Sequence, residues 1–391
     1  MIPSARADGG KGAATAADDL LRGYGKRSNM KKILSLLLCL VMLLSLAACG
    51  ETGEKETTVP GTTVAETTAP ETTAPETTAP EADVSVGHYP ITVTDQAGRE
   101  VTIEEEPQRL VSGYYISTSA LIALGLADKL VGIEAKAEKR AIYKLSAPEL
   151  IALPNVGTAK EFDLEGCAAL EPDLVILPVK LNSAVETLEG LGIQVLLVNP
   201  ENQELLEGMI SLIAAATNTE EHAQALLDFT ATQEAMLTET LANVEAPSVY
   251  LAGNSGLLST TGDAMYQSDL IRLAGGINVA SQITDTYWVE ISYEQLLTWN
   301  PEYIILASDA DYTVEDVLAD PNLADCAAVV NGHVYQMPGK AEAWDSPVPS
   351  GILGAVWLAN VLHPDAFAEG DCDNLIDEYY ETFYGFTYSE N

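Results

Sequence analysis

The chain has few of the residues, and lacks the motifs, that usually carry catalysis or metal binding. It contains no Gly-x-Ser-x-Gly, no Gly-rich phosphate loop followed by Lys-Ser or Lys-Thr, and no paired-histidine motif. Its four histidines, His88, His222, His333 and His363, lie far apart in the sequence. A transition-metal site needs three or four converging ligands. We therefore expect no catalytic centre, no enzyme activity, no cofactor and no metal site built from histidine.

Basic residues are also scarce. The 391 residues include 19 Lys and Arg against 58 Asp and Glu, for a formal net charge of −39. The first 48 residues hold seven of the basic and three of the acidic residues, which leaves 12 against 55 in the rest of the chain. Such a surface repels nucleic acid and anionic lipid headgroups. The composition excludes a nucleic-acid partner, and any attachment to a membrane must come from a lipid.

The N-terminal region has the pattern of a bacterial lipoprotein signal. Residues 1–29 have no hydrophobic periodicity and are interpreted as an upstream mis-start, with Met30 as the true first residue. Two lysines and an apolar run follow, too short for a comfortable membrane span, and the run ends in Leu-Ala-Ala-Cys. We predict a signal peptide over residues 30–48 and lipidation of Cys49. An uncleaved N-terminal anchor is the alternative.

Residues 49–87 predict a disordered tether. They are rich in Thr, Pro and Glu and repeat Glu-Thr-Thr-Ala-Pro three times in succession. This composition cannot bury a hydrophobic core, so the segment should be extended. The segment would hold a folded domain off the extracellular face of the cytoplasmic membrane, most simply across a Gram-positive cell wall. A low-complexity spacer without a required length is the alternative.

Three cysteines remain after the signal and the lipidated position. Cys167, Cys326 and Cys372 are odd in number, and their spacing fits no metal motif. They are interpreted as small hydrophobic residues. A disulfide between Cys326 and Cys372 is the alternative.

The rest of the chain contains one architecture twice. Glu165 precedes a short apolar helix pattern, Pro172 and a β-branched run, and Glu294 precedes the same series with Pro301. Between the copies, residues 218–246 show the longest uninterrupted helical pattern, with Asn218 as the predicted N-cap. We therefore predict an N-terminal lobe at 88–217, a spanning helix at 218–246 and a C-terminal lobe at 247–391.

Each lobe alternates strand and helix patterns, which is typical of a parallel sheet covered on both faces. The fold class is α/β, with two Rossmann-like lobes joined by a single long rigid α-helix. The first lobe opens with a hairpin at 91–103, followed by strands at 110–112, 129–133, 173–177 and 194–198 and helices at 117–124, 164–170 and 183–191. The second lobe repeats the alternation with segments at 248–252, 268–274, 293–299, 303–307 and 333–336 and a closing helix at 350–362.

Aromatic and polar residues cluster near predicted strand ends, where open α/β sheets bind ligands. A basic run at 136–144 follows the second strand of the first lobe and fits either a solvated face or a ligand or docking role. The predicted ligand-binding residues are Tyr114, Tyr115, Lys136, Arg140, Tyr143, Tyr287, Trp288, Trp344 and Asp345.

The chain resembles the lipoprotein substrate-binding components of ABC importers for ferric siderophores, haem and vitamin B12, which have the class III periplasmic-binding-protein, or TroA-like, fold. The resemblance covers residues 91–386. It is carried by Val156-Gly157, Asp163-Leu164-Glu165, Pro172-Asp173-Leu174-Val175-Ile176, the segment from Leu188 to Val198, Leu273-Ala274-Gly275-Gly276-Ile277-Asn278-Val279, Ser292-Tyr293-Glu294 and Gly332-His333-Val334-Tyr335.

The resemblance implies a function and two kinds of contact. Glu165 and Glu294 would meet arginines of a two-fold membrane permease, which works with an ATPase. The ligand, an iron complex (ferric siderophore or haem) or a corrinoid, would lie between the lobes against aromatic residues, for which Trp288 and Trp344 match best by position. The alternatives are a surface adhesin or ligand sensor with the same fold, and a zinc- or manganese-binding importer component.

Overall fold

A computed structural model describes residues 88–284 and 287–390 of the chain. The predicted signal peptide, the tether and Cys49 lie outside these residues. Within the described ranges, no helix combines the length and the apolar character needed to cross a bilayer.

The first half of the described chain forms a parallel sheet. It begins with an antiparallel hairpin of β1 (Ile91–Thr94) and β2 (Glu100–Ile103), as predicted. The sheet has the order β4-β3-β5-β6, and all its pairs are parallel. Its strands are β3 (Leu110–Ser112), β4 (Leu130–Gly132), β5 (Leu174–Pro178) and β6 (Gln194–Val198), and the helices between them are α1 (Tyr115–Ala123), α2 (Ala141–Ser146), α3 (Leu164–Ala169) and α4 (Val185–Gly190).

The second half forms another four-stranded parallel sheet, in the order β12-β11-β7-β9. Two parallel sheets confirm the predicted α/β class. The strands are β7 (Ser248–Ala252), β9 (Ile277–Asn278), β11 (Tyr303–Leu306) and β12 (Val334–Gln336), and the helices are α7 (Tyr266–Leu273), α8 (Tyr293–Trp299), α9 (Val314–Leu318), α10 (Ala327–Asn331) and α11 (Ile352–Leu362).

The connection between the sheets differs from the prediction, because it consists of two consecutive helices. After β6 the chain forms α5 (Gln203–Thr217), which the sequence reading missed, and then α6 (Glu220–Leu241). Asn218 is not the N-cap of the long helix. It has φ 56° and ends α5, because Asn tolerates the left-handed conformation that closes a helix. Thr219 precedes α6 without a side-chain cap.

The helix α6 packs against elements of both halves. Its buried residues, among them Ala223, Leu226 and Leu237, recur at intervals that place them on one face. That face contacts α5 on one side and α7 and α11 on the other. One continuous hydrophobic cluster therefore contains Leu110 of the first sheet, Leu226 of α6 and Leu251 of the second sheet.

Besides α5, the short elements α2, β9, α9 and α10 were not predicted, nor were two further strands and a C-terminal helix. Strands β8 (Ser259–Thr261) and β10 (Trp288–Glu290) pair antiparallel beside the second sheet. A further helix, α12 (Asp371–Tyr384), follows α11 and returns to the first half, where Ser146 Oγ donates to the carbonyl of Tyr384 at 2.7 Å. The helix at 350–362 is therefore not the last one.

The described cysteines are free. Cys167 and Cys326 are buried and Cys372 is half-buried, which agrees with small hydrophobic roles. The alternative of a Cys326–Cys372 disulfide is wrong in this structure.

Candidate functional site

The two parallel sheets direct their carboxyl ends toward one cavity. Tyr114 follows β3, Lys180 follows β5 and Glu201 follows β6, while Asn254 and Ser255 follow β7 of the second sheet. Residues from both halves thus line a space of about 420 Å³. Ligands of open α/β sheets bind at this edge, and the volume suits a small-molecule site.

Four aromatic residues line this cavity, which we call the cleft. Tyr114 and Tyr115 come from the start of α1, and Tyr266 comes from the start of α7. Trp288 lies on β10 and is 41% exposed. Aromatic rings offer large contact areas for planar or macrocyclic molecules. The structure brings the predicted residues Tyr114, Tyr115 and Trp288 to one cavity and adds Tyr266.

Trp288 lies against the backbone of the second sheet. A Cβ atom added to Gly253 would lie 2.6 Å from Cζ3 of Trp288, so the indole occupies space that only a glycine leaves open. Gly253 directly follows β7, and Trp288 pairs with Thr261 of β8. The unpredicted β8–β10 ribbon therefore holds the tryptophan at the cleft.

A smaller cavity of about 80 Å³ lies behind Tyr115, which lines both spaces. Arg140 lines the smaller cavity, with its guanidinium carbon 4.1 Å from the centroid of the Tyr115 ring. Such a cation–π contact fixes the guanidinium behind the aromatic wall of the cleft. Arg140 is thus close to the cleft without lining it.

Tyr143 also lines the smaller cavity, but its side chain is buried and its hydroxyl group already forms a hydrogen bond. The hydroxyl donates to Glu134 Oε1 at 2.7 Å, and Thr118 Oγ1 donates to the other carboxylate oxygen at 2.7 Å. Burial raises the pKa of Glu134, while these two hydrogen bonds lower it. The hydrogen-bonded group of Tyr143, Glu134 and Thr118 therefore supports the wall of the cleft from behind.

Trp344 does not lie in the cleft, so its predicted position is wrong. It is 1% exposed, its Nε1 donates to Tyr380 Oη at 2.9 Å, and its ring stacks on Tyr388. Its neighbour Asp345 does line the cleft. One Asp345 carboxylate oxygen accepts from the Ser308 N–H at 3.0 Å, and burial raises the pKa of this carboxyl. Trp344 thus faces the hydrophobic core, and the next residue, Asp345, faces the cleft.

Two other predicted residues lie outside both cavities. Lys136 is exposed and has φ 74° at a tight turn. Tyr287 is 58% exposed and does not line the cleft, although it directly precedes Trp288. For Lys136, the solvated-face interpretation of the basic run fits better than ligand contact.

Several cleft residues were missed by sequence reasoning. Tyr266 and Gln267 begin α7, directly before the predicted segment at 268–274, and were not included in it. Lys180 and Glu201 follow β5 and β6 at the edge of the sheet where ligands bind. Their positions after predicted strands could have identified them as ligand-site candidates from the sequence. No sequence signal marked Ser346, which follows an irregular segment.

Glu165 and Glu294 occupy matching positions. Each is the second residue of a short helix, α3 or α8, and each is exposed. Asp163 and Ser292 cap these helices by accepting the N–H of Gly166 and of Gln295, at 2.8 and 3.1 Å. Neither glutamate carboxylate has a hydrogen-bond or ion-pair partner among the described residues, so both are open to a partner.

The described residues contain no group of three or more His, Cys, Asp and Glu side chains that could hold a metal ion. The predicted absence of a metal site stays a prediction.

Comparison with known proteins identifies the family. The family model described as periplasmic binding protein matches residues 110–341. Molybdate-binding protein MolA of Haemophilus influenzae is 28% identical over 76% of this chain and 91% of its own length. Its structure with bound molybdate, described as the cognate binding protein of an ABC transporter, superposes with a TM-score of 0.68 at 25% identity and covers 76% of this chain and 99% of MolA.

Two further relatives agree with this. An uncharacterized ABC transporter substrate-binding lipoprotein, YvrC of Bacillus subtilis, is 27% identical over 72% of this chain and 88% of its own. The vitamin B12-binding protein of Salmonella choleraesuis is 29% identical over 56% of this chain and 80% of its own. The chain therefore belongs to the periplasmic binding protein family, as a substrate-binding protein of an ABC transporter and not an enzyme.

Proposed function

We propose that this protein captures a metal complex with a large organic ligand in the cleft and delivers it to a membrane permease. A corrinoid, a ferric siderophore and haem are the candidate complexes. The observation that carries the proposal is the convergence of Tyr114, Tyr115, Tyr266 and Trp288 around one cavity between the two sheets. Stacking on such rings favours broad, planar molecules over small ions. A vitamin B12-binding relative supports the corrinoid in particular.

Molybdate is a second candidate, because MolA is a relative with 91% of its length covered. One feature of the cleft favours an oxyanion. The helices α1 and α7 both begin there, at Tyr115 and Tyr266, and the first N–H groups of a helix have no partner within it. A bare oxyanion would nevertheless leave most of a cavity of about 420 Å³ and its aromatic walls unused.

Glu165 and Glu294 are the proposed permease contacts. Their exposure, their matching positions in α3 and α8, and their lack of partners among the described residues support this role. A permease with two-fold symmetry can offer one arginine to each carboxylate. The alternative of simple helix-start residues is consistent with the helix dipole, which stabilises each by well under about 1 kcal/mol. That alternative does not explain the same residue at the same position in two halves.

Lipidation at Cys49 is the proposed attachment to the extracellular face of the cytoplasmic membrane. The Leu-Ala-Ala-Cys sequence after a basic and apolar segment supports it, and a Bacillus subtilis relative is described as a lipoprotein. The repeated Glu-Thr-Thr-Ala-Pro segment then supports a position on the outside of a Gram-positive cell.

Calorimetric titration tests the proposed ligand class. The purified protein is titrated with cyanocobalamin, haem, a ferric catecholate, a ferric hydroxamate and molybdate. We expect at least one organic metal complex to bind, and Trp288→Ala to weaken that binding by roughly tenfold, the cost of one lost aromatic stack. Tyr287→Ala is the matched control, since Tyr287 is adjacent, exposed and outside the cleft lining. Binding of molybdate alone, unaffected by Trp288→Ala, would reject the proposal in favour of the second candidate.

An adhesin or sensor would bind ligand without importing it. Ligand uptake by cells that carry the permease therefore separates the importer from that alternative.

A further inference from the structure

Among the residues that the structure describes, those that line the cleft carry no net positive charge. Lys180 is the cation among them, and Glu201 and Asp345 are the acids. Lys180 is exposed and Glu201 is half-buried at the rim. Even with Asp345 protonated in its buried position, Lys180 is balanced by Glu201. An anionic ligand would therefore lose its hydration without gaining an excess of positively charged side chains, and only the partial positive charge of the helix starts at Tyr115 and Tyr266 would compensate it.

Arg140 does not supply that missing charge. Its guanidinium stacks on Tyr115 at the side of the smaller cavity, away from the cleft lining. Its positive charge lowers the pKa of the buried carboxyl groups of Glu134 and Glu342, so it already acts on two acids. Its charge thus acts on these buried carboxyl groups and on Tyr115, whose pKa it also lowers, while the guanidinium itself does not line the cleft.

The pKa shifts of two tyrosines in the cleft indicate negatively charged groups nearby. Burial raises the pKa of Tyr266, and the charges of Asp269 and Asp345 raise it further. The pKa of Tyr114 is likewise raised by burial, then by Tyr115 and by Glu201. Nearby carboxylates thus raise the pKa of both hydroxyl groups, whereas Arg140 lowers the pKa of Tyr115.

Gln267 adds an unpaired acceptor to this wall. It is 5% exposed and lines the cleft, and its Nε2 donates to the Asp345 carbonyl at 2.7 Å. That bond fixes the orientation of the amide, because turning it would bring two carbonyl oxygens together. Its Oε1 has no hydrogen-bond partner. The Gln267 Oε1 atom has almost no accessible surface, so a donor reaches it only when binding displaces this part of the wall. A buried acceptor without a partner costs about 1–3 kcal/mol, which a ligand that donates a hydrogen bond can then recover.

We infer that the cleft selects a neutral or cationic metal complex that carries N–H or O–H donors, that Gln267 accepts a hydrogen bond from it, and that oxyanions and anionic chelates are disfavoured. This rests on the proposed function and narrows it. A corrinoid with peripheral primary amides meets the requirement. Molybdate, a trianionic ferric catecholate and haem with its two carboxylates do not.

The first test compares ligands of different charge by calorimetry. Cyanocobalamin is compared with derivatives in which one peripheral amide is hydrolysed to a carboxylate, and with haem, a trianionic ferric catecholate and molybdate. We expect cyanocobalamin to bind at least about tenfold more tightly than each anionic ligand, which corresponds to one uncompensated charge. An anionic ligand that binds as tightly as cyanocobalamin overturns the inference and leaves the proposed function standing. If no metal complex binds, the proposed function itself fails.

The second test uses variants of the wall. Gln267→Met should weaken cyanocobalamin binding roughly three- to tenfold, the value of one hydrogen bond. Gln203→Met is the matched control, because Gln203 is also buried with an unpaired Oε1 but does not line the cleft. Equal affinities of the two variants would overturn the role of Gln267.

If Gln267→Met folds poorly, a charge variant at the rim of the cleft still tests the inferred selectivity. Glu201→Lys should strengthen binding of the ferric catecholate by about tenfold or more, because it makes the lining positive. Glu204→Lys, exposed on α5 and outside the cleft lining, should not. No gain with Glu201→Lys would show that cleft charge does not set selectivity.

Discussion

Glu342 carries a buried carboxyl group that joins the two halves of the molecule. It accepts hydrogen bonds from Ser119 Oγ of α1 and from Ser350 Oγ, both at 2.6 Å. Burial raises its pKa above the ordinary value of 4.5, while the two serines lower it. The folded protein therefore holds this proton more tightly than the unfolded chain does.

The sign of the resulting pH dependence follows from proton binding. Between 4.5 and the raised pKa the folded state binds more protons at Glu342, so the free energy of unfolding falls as the pH rises. Glu342→Gln cannot ionise. We expect wild type to lose stability relative to this variant above pH 4.5, by up to about 1.4 kcal/mol per pH unit within that window. Urea unfolding of both proteins at several pH values measures this difference in stability. A difference that does not change with pH would contradict the prediction.

Gly253 provides a second prediction for a single residue. A methyl group there would clash with Trp288 at 2.6 Å and push the indole out of place. We expect Gly253→Ala to weaken binding of the tightest metal complex by roughly fivefold, about 1 kcal/mol. Gly256→Ala is the matched control, since its Cβ would meet nothing within 4 Å. Calorimetry compares the two variants, and equal affinities would argue against a fixed Trp288 in the site.

Sequence patterns located strand ends but not the direction of each side chain after them. The sequence predicted Trp288 and Trp344 equally as ligand contacts. In the structure Trp288 lines the cleft, and Trp344 is buried against Tyr388. The difference depends on α12, whose return to the first half was not predicted. Gln267 was missed because its role comes from an unpaired atom in the folded chain. Such residues become visible only when the packing around them is known.

Among the elements, the short helices α3 and α8 carry the proposed docking glutamates. We expect Glu165→Lys/Glu294→Lys to leave ligand affinity unchanged and to reduce ligand uptake by at least about tenfold, because each carboxylate would lose an arginine partner. The single changes should be roughly additive, since the sites do not share contacts.

The control for this experiment is Glu186→Lys/Glu315→Lys. It makes the same change of charge at exposed first-turn glutamates of α4 and α9. Uptake at equal surface levels is compared. Wild-type uptake by the Glu165/Glu294 variant would remove the docking assignment, and loss of ligand binding would move both residues into the ligand site.

The repeat predicted these two helices well because local signals agreed. Asp163 and Ser292 cap the helices, and a buried strand follows each of them. The connecting region was predicted less well. Asn218 fits an N-cap and a left-handed C-cap equally by residue type, and the tertiary structure uses it to end α5. Helix propensity alone therefore could not separate α5 from α6.

For the molecule as a whole, the prediction concerns attachment to the membrane. We expect Cys49→Ala to abolish incorporation of labelled fatty acid and to release the protein or leave it unprocessed. Cys39→Ala is the control, because Cys39 lies inside the predicted signal peptide. Label retained in the Cys49→Ala variant would show that another residue carries the lipid.

The α/β class and both parallel sheets followed from the sequence because β-branched runs alternated with helical patterns in two copies. Family membership followed from the same motifs and agrees with the family match over residues 110–341. The ligand did not follow, because aromatic residues after strands suit several metal complexes. In the selectivity inferred above, Lys180, Glu201 and Asp345 determine the charge class of the ligand, and Gln267 accepts a hydrogen bond from it.

The position of the bound metal is the most direct test of a ligand site between the two sheets. A crystal of the protein with its tightest-binding complex, measured at the absorption edge of the metal, gives that position from anomalous scattering. We predict one strong peak in the cleft, bounded by Tyr114 on one side and Trp288 on the other. A peak elsewhere on the protein, with the cleft empty, would contradict capture of the complex between the sheets.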